Sequence, residues 1–422
     1  MTRLVSVFAA LTAAAACGSG AEHGVDGAID GTTAVDAGPT RGYRLAATGV
    51  QADPTTGIFI GATELANDAD VIAIHQDFYG VPWDSFIAGT EPPAAWVAKM
   101  QMLAASAQGK PVFLSLTPLD GDRVHLAPKV AADGTLVSDW SAACYDLATA
   151  TDGATLRTAY AAYVTWMIQM FQPQWTNIAI ELNLFYASCP TSWPGMVTLE
   201  NDAYVAAKAA APTVPAFPSI QINALNGDSQ CPMGMSAADC YEAEYAAIAD
   251  LERDRFAISA YPYAASYATA ADLPADWLTR GATRGGERLF IAETGWLATD
   301  VAATDPSAQC ATILSETPQI QSDYFDLLIT TAQQQDIEVV TWFSDRDAMP
   351  APVATGCPCS FSTPWCDLIA YERSLGSTPT DQFYNELLFK IFGTLGIRDY
   401  DGNPRQPIYD HWQAARVDPI AP

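Results

Sequence analysis

Only four histidines occur in the 422 residues, and 20 basic side chains stand against 48 acidic ones. A net charge of -28 repels phosphate backbones, which argues against nucleic acid as a partner. It also favours a neutral polysaccharide over an acidic one, unless a local basic cleft overrides the overall field. Long apolar runs are scarce too. One covers residues 4–16, and no other is long and uninterrupted enough to span a bilayer. Neither a repeat nor a low-complexity break divides residues 41–422. What is abundant is core material: half the chain is hydrophobic and a tenth aromatic, enough to bury a large interior.

The run at 4–16 follows Arg3, is too short to cross a membrane as a helix, and fits an export signal. It ends in Ala14-Ala15-Ala16-Cys17, which resembles the lipobox of bacterial lipoproteins. That resemblance implies cleavage before Cys17 and a diacylglyceryl group on its thiol, although Ala14 stands where leucine is commoner. Ordinary signal cleavage near the same alanines is the plainer alternative. Residues 17–40 are rich in Gly, Ala, Asp and Thr and cannot bury enough surface to offset ordering, so they read as a flexible tether. Residues 41–422 then form one domain.

Setting Cys17 aside leaves Cys144, Cys189, Cys231, Cys240, Cys310, Cys357, Cys359 and Cys366. An even set in an exported chain points to disulfides, with pairings that sequence does not reveal. Cys357, Cys359 and Cys366 cluster as metal ligands can, but no histidine lies near them, which favours bridges over a metal. No metal or organic cofactor is expected, and a monomer is.

Short apolar strands alternate with amphipathic helices along the domain, the pattern of a parallel β/α sheet. Strands are expected at 43–50, 71–74, 111–116, 177–180, near 219–223, and at 256–259, 288–292 and 337–342. Helices are expected at 60–67, 94–107, 156–171, 199–211, 238–251, 319–335 and 383–395. Eight such strands predict a (β/α)8 TIM barrel with long, disulfide-bearing loops. Their C-terminal ends, where such barrels gather their chemistry, carry His75 and Asp77, Glu181 and Asn183, Asn223, Tyr261 and Tyr263, Glu293 and Trp296, and Trp342 and Asp345.

Glu181 follows the fourth strand and Glu293 the seventh. In a closed eight-stranded barrel these strands face each other across the axis. Two carboxylates across a narrow mouth suit double-displacement glycoside hydrolysis, one as nucleophile and the other as acid and base. A single Glu at a strand end is more often a loop salt-bridge partner; the pair carries the signal. Trp83, Tyr261, Tyr263, Trp296 and Trp342 are candidates to stack on sugar faces, and His75, Asp77, Asn183, Asn223 and Asp345 to bond hydroxyls. Each has a packing role as its bland alternative, Trp83 above all because it follows Gly-Val-Pro.

Glu293-Thr-Gly-Trp296 after an apolar strand resembles the nucleophile motif of clan A retaining glycosidases, notably family 17 and family 53-like proteins. Glu181-Leu-Asn183 resembles their acid/base motif, Thr341-Trp342-Phe343-Ser344-Asp345 their eighth strand, and Ser259-Ala-Tyr261-Pro-Tyr263 their sixth. The segment from Gly396 through Gly402 to Trp412 resembles the end of many of these barrels. The resemblance implies Glu293 as nucleophile, Glu181 as acid/base, a tyrosine of the sixth-strand motif (Tyr261 or Tyr263) against the nucleophile, and a sugar floor at Trp342. One departure stands out: Ile180 occupies the place of an asparagine that bonds the sugar 2-hydroxyl, leaving Asn183 or Asn223 to supply an amide. The same departure motivates a non-catalytic sugar-binding reading, and a β-glucan transglycosylase would use the same two glutamates.

Overall fold

The computed structural model describes residues 40–421, apart from 50–60, 78, 139, 230, 232–234, 266, 358, 360–363 and 377. The expected export signal, Cys17 and nearly all of the tether lie outside the described residues. So do Val50 and Ile60, the expected end of the first strand and start of the first helix.

Eight strands are each buried nearly end to end and therefore apolar on both faces. They are β1 (Arg44–Thr48), β2 (Val71–His75), β3 (Val112–Ser115), β4 (Trp175–Ala179), β5 (Ala216–Gln221), β6 (Phe256–Ala260), β7 (Leu289–Thr294) and β8 (Val339–Trp342). All pair in parallel with their sequence neighbours, and β1 also pairs β8, so the sheet closes on itself. The fold is the expected (β/α)8 barrel. Helices such as Ala94–Ser106, Gly153–Phe171, Trp193–Ala210 and Pro318–Gln334 pack around it.

Period-two alternation fills the barrel. Phe113, Trp175, Phe217, Ala257, Phe290 and Val339 meet in one interior cluster, and the Phe290 ring lies 4.8 Å from both Phe113 and Phe217. Two residues further along their strands, on the same face, come Ser115, Asn177, Ser219, Ser259 and Thr341, all fully buried. A polar layer thus separates the aromatic plug from the C-terminal mouth.

Two register shifts lie beside that mouth. On β7, Ile258 pairs Ile291 while Ser259 pairs Glu293, so an extra residue is accommodated at Ala292. Phe290 and Ala292 already face inward. Strict alternation would send Glu293 outward, and the bulge turns it in. On β4, Asn177 pairs Phe217 while Ala179 pairs Pro218, a second bulge, and Glu181 follows with a left-handed φ of 49°.

Elements that the sequence pattern did not reveal extend the loops. Hairpins join Lys129–Val130 to Leu136–Val137 and Val301–Thr304 to Cys310–Leu314. The segment after β8 holds helices Ala351–Thr355, Pro364–Leu375 and Pro379–Phe392, the last of which starts at Pro379, before the expected 383. These helices carry their own small core around Met349, Val353, Trp365 and Phe389. Lys390 ties them to the second hairpin by donating to the carbonyls of Ala302 and Gly356 and to Glu386. The expected fifth strand at 219–223 lies instead at Ala216–Gln221, because Ile222–Leu225 turns into helix. The helix expected from 199 begins at Trp193, where Pro194 at its first turn fixes φ without losing a hydrogen bond.

Six of the eight remaining cysteines form bridges: Cys144–Cys189, Cys310–Cys357 and Cys359–Cys366. Cys231 and Cys240 are thiols, so the expected fully paired set is corrected to three bridges. No helix among the described residues is long and apolar enough to cross a membrane.

Candidate active site

The two glutamates lie at the C-terminal mouth within electrostatic reach of each other, each with its own set of contacts. Arg123, from the loop after β3, donates from Nη2 to Asp77 Oδ2 at 2.8 Å and to Glu181 Oε2 at 3.2 Å. The Tyr261 hydroxyl, just beyond β6, donates to Glu293 Oε2 at 3.0 Å. His75, the last residue of β2, places Nδ1 3.5 Å from Glu293 Oε1. Five strand ends, those of β2, β3, β4, β6 and β7, thereby converge at the mouth, as expected at this face of a β/α barrel.

Glu181 is held by its backbone. Its N–H donates to the Ser219 hydroxyl at 3.0 Å, and Ser219 is itself bonded by the Asn177 amide. A left-handed φ costs a residue other than glycine on the order of 1–2 kcal/mol, so the polar layer beneath has to hold this turn in place. Arg123 is also left-handed, at 57°, and its N–H donates to the Asp120 carbonyl.

Exposure separates the glutamates. The Glu181 and Asp77 side chains retain 14% and 15% of their accessible surface, whereas Glu293 retains 7%. Glu181 sits on the rim and Glu293 at the base. Burial pushes the Glu293 carboxyl well above the usual carboxylate range, and the nearby charges of Glu181 and Asp77 push it further. Arg123 and the Tyr261 hydroxyl oppose that rise. Burial also raises Glu181, against the strong pull of Arg123 and with Asp77 adding to the rise. His75 is driven down to about 4 by burial, so its ring is neutral at neutral pH.

The other expected site residues divide sharply. Asn223 is fully buried near the group, with Nδ2 on the Tyr261 carbonyl and Oδ1 without a protein partner. Tyr263 packs 5.9 Å from Tyr261, and its buried hydroxyl also lacks a partner. Asn183 is committed elsewhere: it bonds the Gln221 backbone in both directions and reaches Glu244. Its amide locks the turn after β4 to the end of β5 and is not free for a sugar.

Trp83 is buried beneath the loop after β3, donating to the Ala127 carbonyl and stacking on Tyr160. Trp296 is buried against Tyr324 and donates to Glu316. Trp342 is buried among Tyr324 and Phe325 and donates to the Leu395 carbonyl. Alternation explains the last case: Val339 faces the barrel interior, so Trp342 faces the helices. Asp345 is buried beside the end of β1, its N–H on the Thr48 carbonyl, and burial lifts its carboxyl to about 7, with Asp68 adding to the rise.

Arg123 and Phe343 were not singled out by sequence. Phe343, next along β8 after Trp342, lies edge-on 5.4 Å from His75. The strand's two-residue period, carried one step past Trp342, would have pointed to it. Arg123 lies in a long irregular loop, and its only signal is a cation within Asp120-Gly-Asp-Arg123 directly after a strand end. Among the described residues, no group of three or more His, Cys, Asp or Glu is arranged to hold a metal ion.

No family model matches the chain, and no curated protein matches it by sequence. Among solved structures it is similar to an exo-β-1,4-mannosidase from Opitutaceae bacterium strain TAV5, with 13% identity and a TM-score of 0.55. That match covers 92% of this chain but 62% of the mannosidase, so the chain spans less than two thirds of its length. A GH5_18 protein from Streptomyces cattleya in complex with GlcNAc matches at 12% identity and a TM-score of 0.54, over 91% of this chain and 83% of that one. A GH5_18 protein from Bifidobacterium longum subsp. infantis matches at 12% and 0.53, over 90% and 80%. What they share with this chain is the barrel. At such low identity the likeness speaks for fold, and the chemistry has to come from the residues at the mouth.

Proposed function

We propose that the protein is an exported glycoside hydrolase that cleaves a β-linked oligo- or polysaccharide with retention of configuration. The observation that carries this reading is the pair of glutamates at one mouth, Glu293 turned inward by the bulge in β7 and Glu181 held after β4 by the Ser219 hydroxyl and Arg123. Glu293 is the nucleophile. It sits at the base, with Tyr261 donating to one oxygen and the other facing His75. Glu181, on the rim, protonates the leaving oxygen and then activates water. Asp77, His75, Tyr263, Asn223 and Phe343 shape the sugar site around the pair. Support comes also from the motif resemblance to clan A retaining glycosidases and from a barrel shared with a β-mannosidase and a GH5_18 protein holding GlcNAc.

Three disulfides suit an oxidising compartment, in keeping with export and with a lipid anchor at Cys17. The clan's amide before the acid/base is replaced by Ile180, and Asn183 does not stand in for it. Asn223 remains beside Tyr261, its buried side-chain oxygen without a protein partner. Incubation with a panel of β-linked oligosaccharides, followed by proton NMR of the first product, tests the proposal. The β-anomer should appear first and mutarotate afterwards. An α-anomer appearing first would contradict the retaining mechanism, and no cleavage of any β-glycan would favour a binding protein. Longer products from oligosaccharide donors would instead mark a transglycosylase.

A further inference from the structure

The reaction proposed above needs Glu293 ionised and Glu181 protonated, yet the cation of the site stands against Glu181. Arg123 Nη2 donates to Glu181 Oε2 at 3.2 Å, and its side-chain hydrogen bonds go to Asp77, Glu181 and the Asp120 carbonyl. We propose that Arg123 is a positioning residue acting through Glu181: before substrate binds, it holds the Glu181 carboxylate, leaves the shared proton on Glu293, and rests the pair in the protonation opposite to the reactive one. This inference rests on the roles assigned to the two glutamates.

The surroundings of each glutamate support it. From β2, Asp77 is paired to Arg123 at 2.8 Å, and His75 is neutral because it is buried. From the end of β6, Tyr261 and Tyr263 are neutral phenols whose burial holds them far above neutral pH. Arg123 is therefore the one cation facing either glutamate among these groups. Glu293 has no cation in contact: the Tyr261 hydroxyl donates to Oε2, while the buried Oε1 lacks a hydrogen-bond partner and faces a neutral imidazole nitrogen at 3.5 Å, so a single neutral donor in contact opposes the effect of burial. Two carboxyls this close to shared charges titrate as a pair, holding one proton between them over an intermediate pH range. An opposite charge within hydrogen-bonding reach favours the ionised form, and it does so at Glu181. Reaction then requires one proton to pass from Glu293 to Glu181. No other covalent bond changes in that step.

Carbon-13 NMR of protein labelled at the glutamate side-chain carboxyls reads this directly and needs no substrate. The two signals are assigned from their loss in Glu181→Gln and Glu293→Gln. In the unsubstituted protein Glu181 should ionise at the lower pH and Glu293 at the higher. In Arg123→Met the Glu181 midpoint should rise by roughly 1–3 pH units and the order should reverse. Arg123→Lys, which keeps the charge, should restore the original order. A Glu181 signal that already titrates above Glu293 in the unsubstituted protein would overturn the proposal, as would a Glu181 midpoint unmoved in Arg123→Met. Should Arg123→Met not fold, the order in the unsubstituted protein still decides. Failure to cleave any glycan would refute the proposed hydrolase without altering the titration order, so the two failures are distinguishable. Where a substrate is cleaved, the basic limb of kcat/KM should move to higher pH in Arg123→Met and stay in place in Arg123→Lys.

Discussion

Glu293→Ala should lower turnover of a β-glycoside by at least about 10⁴-fold while the barrel stays folded, the scale on which a covalent nucleophile is lost. Glu293 keeps 7% of its side-chain surface, and in the proposed reaction its carboxylate attacks the anomeric carbon. Truncation to alanine leaves a small polar space bounded by Tyr261 and His75. Azide fits such a space. It should restore cleavage by attacking from the nucleophile's side, and the product should be a glycosyl azide of inverted, α configuration. Gas-tight assays with and without azide, followed by NMR of the product, check this. Full activity of Glu293→Ala without azide would end the assignment of Glu293 as nucleophile.

Glu181→Ala should give the complementary result. Loss of a general acid costs roughly 10²–10⁴-fold, and the loss should fall mainly on substrates with poor leaving groups. An aryl glycoside whose leaving group needs no proton should still form the glycosyl-enzyme quickly and then stall, because deglycosylation lacks its base. A burst of released phenol followed by slow turnover is the expected trace. Azide should accelerate that slow phase by attacking the intermediate from the open side, giving a β-glycosyl azide of retained configuration. The two azide products thus differ in anomeric configuration. If they were exchanged between the variants, the roles of Glu181 and Glu293 would be exchanged too.

The barrel was legible because its strands are short apolar runs at regular intervals, each ending in polar or aromatic residues. That pattern needs no tertiary information. Side-chain direction at the mouth was less accessible. A residue count from Phe290 and Ala292 sends Glu293 to the outer face, and only the bulge seen in the pairing of Ser259 with Glu293 brings it inside. Its position at the end of an apolar strand is legible in the sequence, and the face it takes is not.

The aromatic residues show the opposite error. Trp342 and Trp296 match the expected residue type at the expected strand ends, yet both indoles are buried against the helix Pro318–Gln334 through Tyr324. The ring facing His75 belongs to Phe343. On β8 the two-residue period, and not residue type, determines which ring faces the mouth. Asn183 failed for a related reason, since an amide at a strand end serves a neighbouring backbone as readily as a substrate. Arg123 was invisible because its loop lacks periodicity, and only the fold brings it within 3.2 Å of Glu181. The lobe built on Pro364–Leu375 and Pro379–Phe392 was hidden similarly, its core being a local cluster with no repeat to announce it.

The central claim, that Glu293 forms a covalent bond to the sugar, has one direct test. A 2-deoxy-2-fluoro-β-glycosyl fluoride, of the sugar that the substrate panel identifies, slows the breakdown of a glycosyl-enzyme and lets it accumulate. Peptide mass spectrometry of the trapped protein should find one added fluorosugar on the peptide containing Glu293-Thr-Gly-Trp296, and Glu293→Gln should take up none. A label on Glu181, or time-dependent inactivation with no sugar attached to either glutamate, would contradict the account.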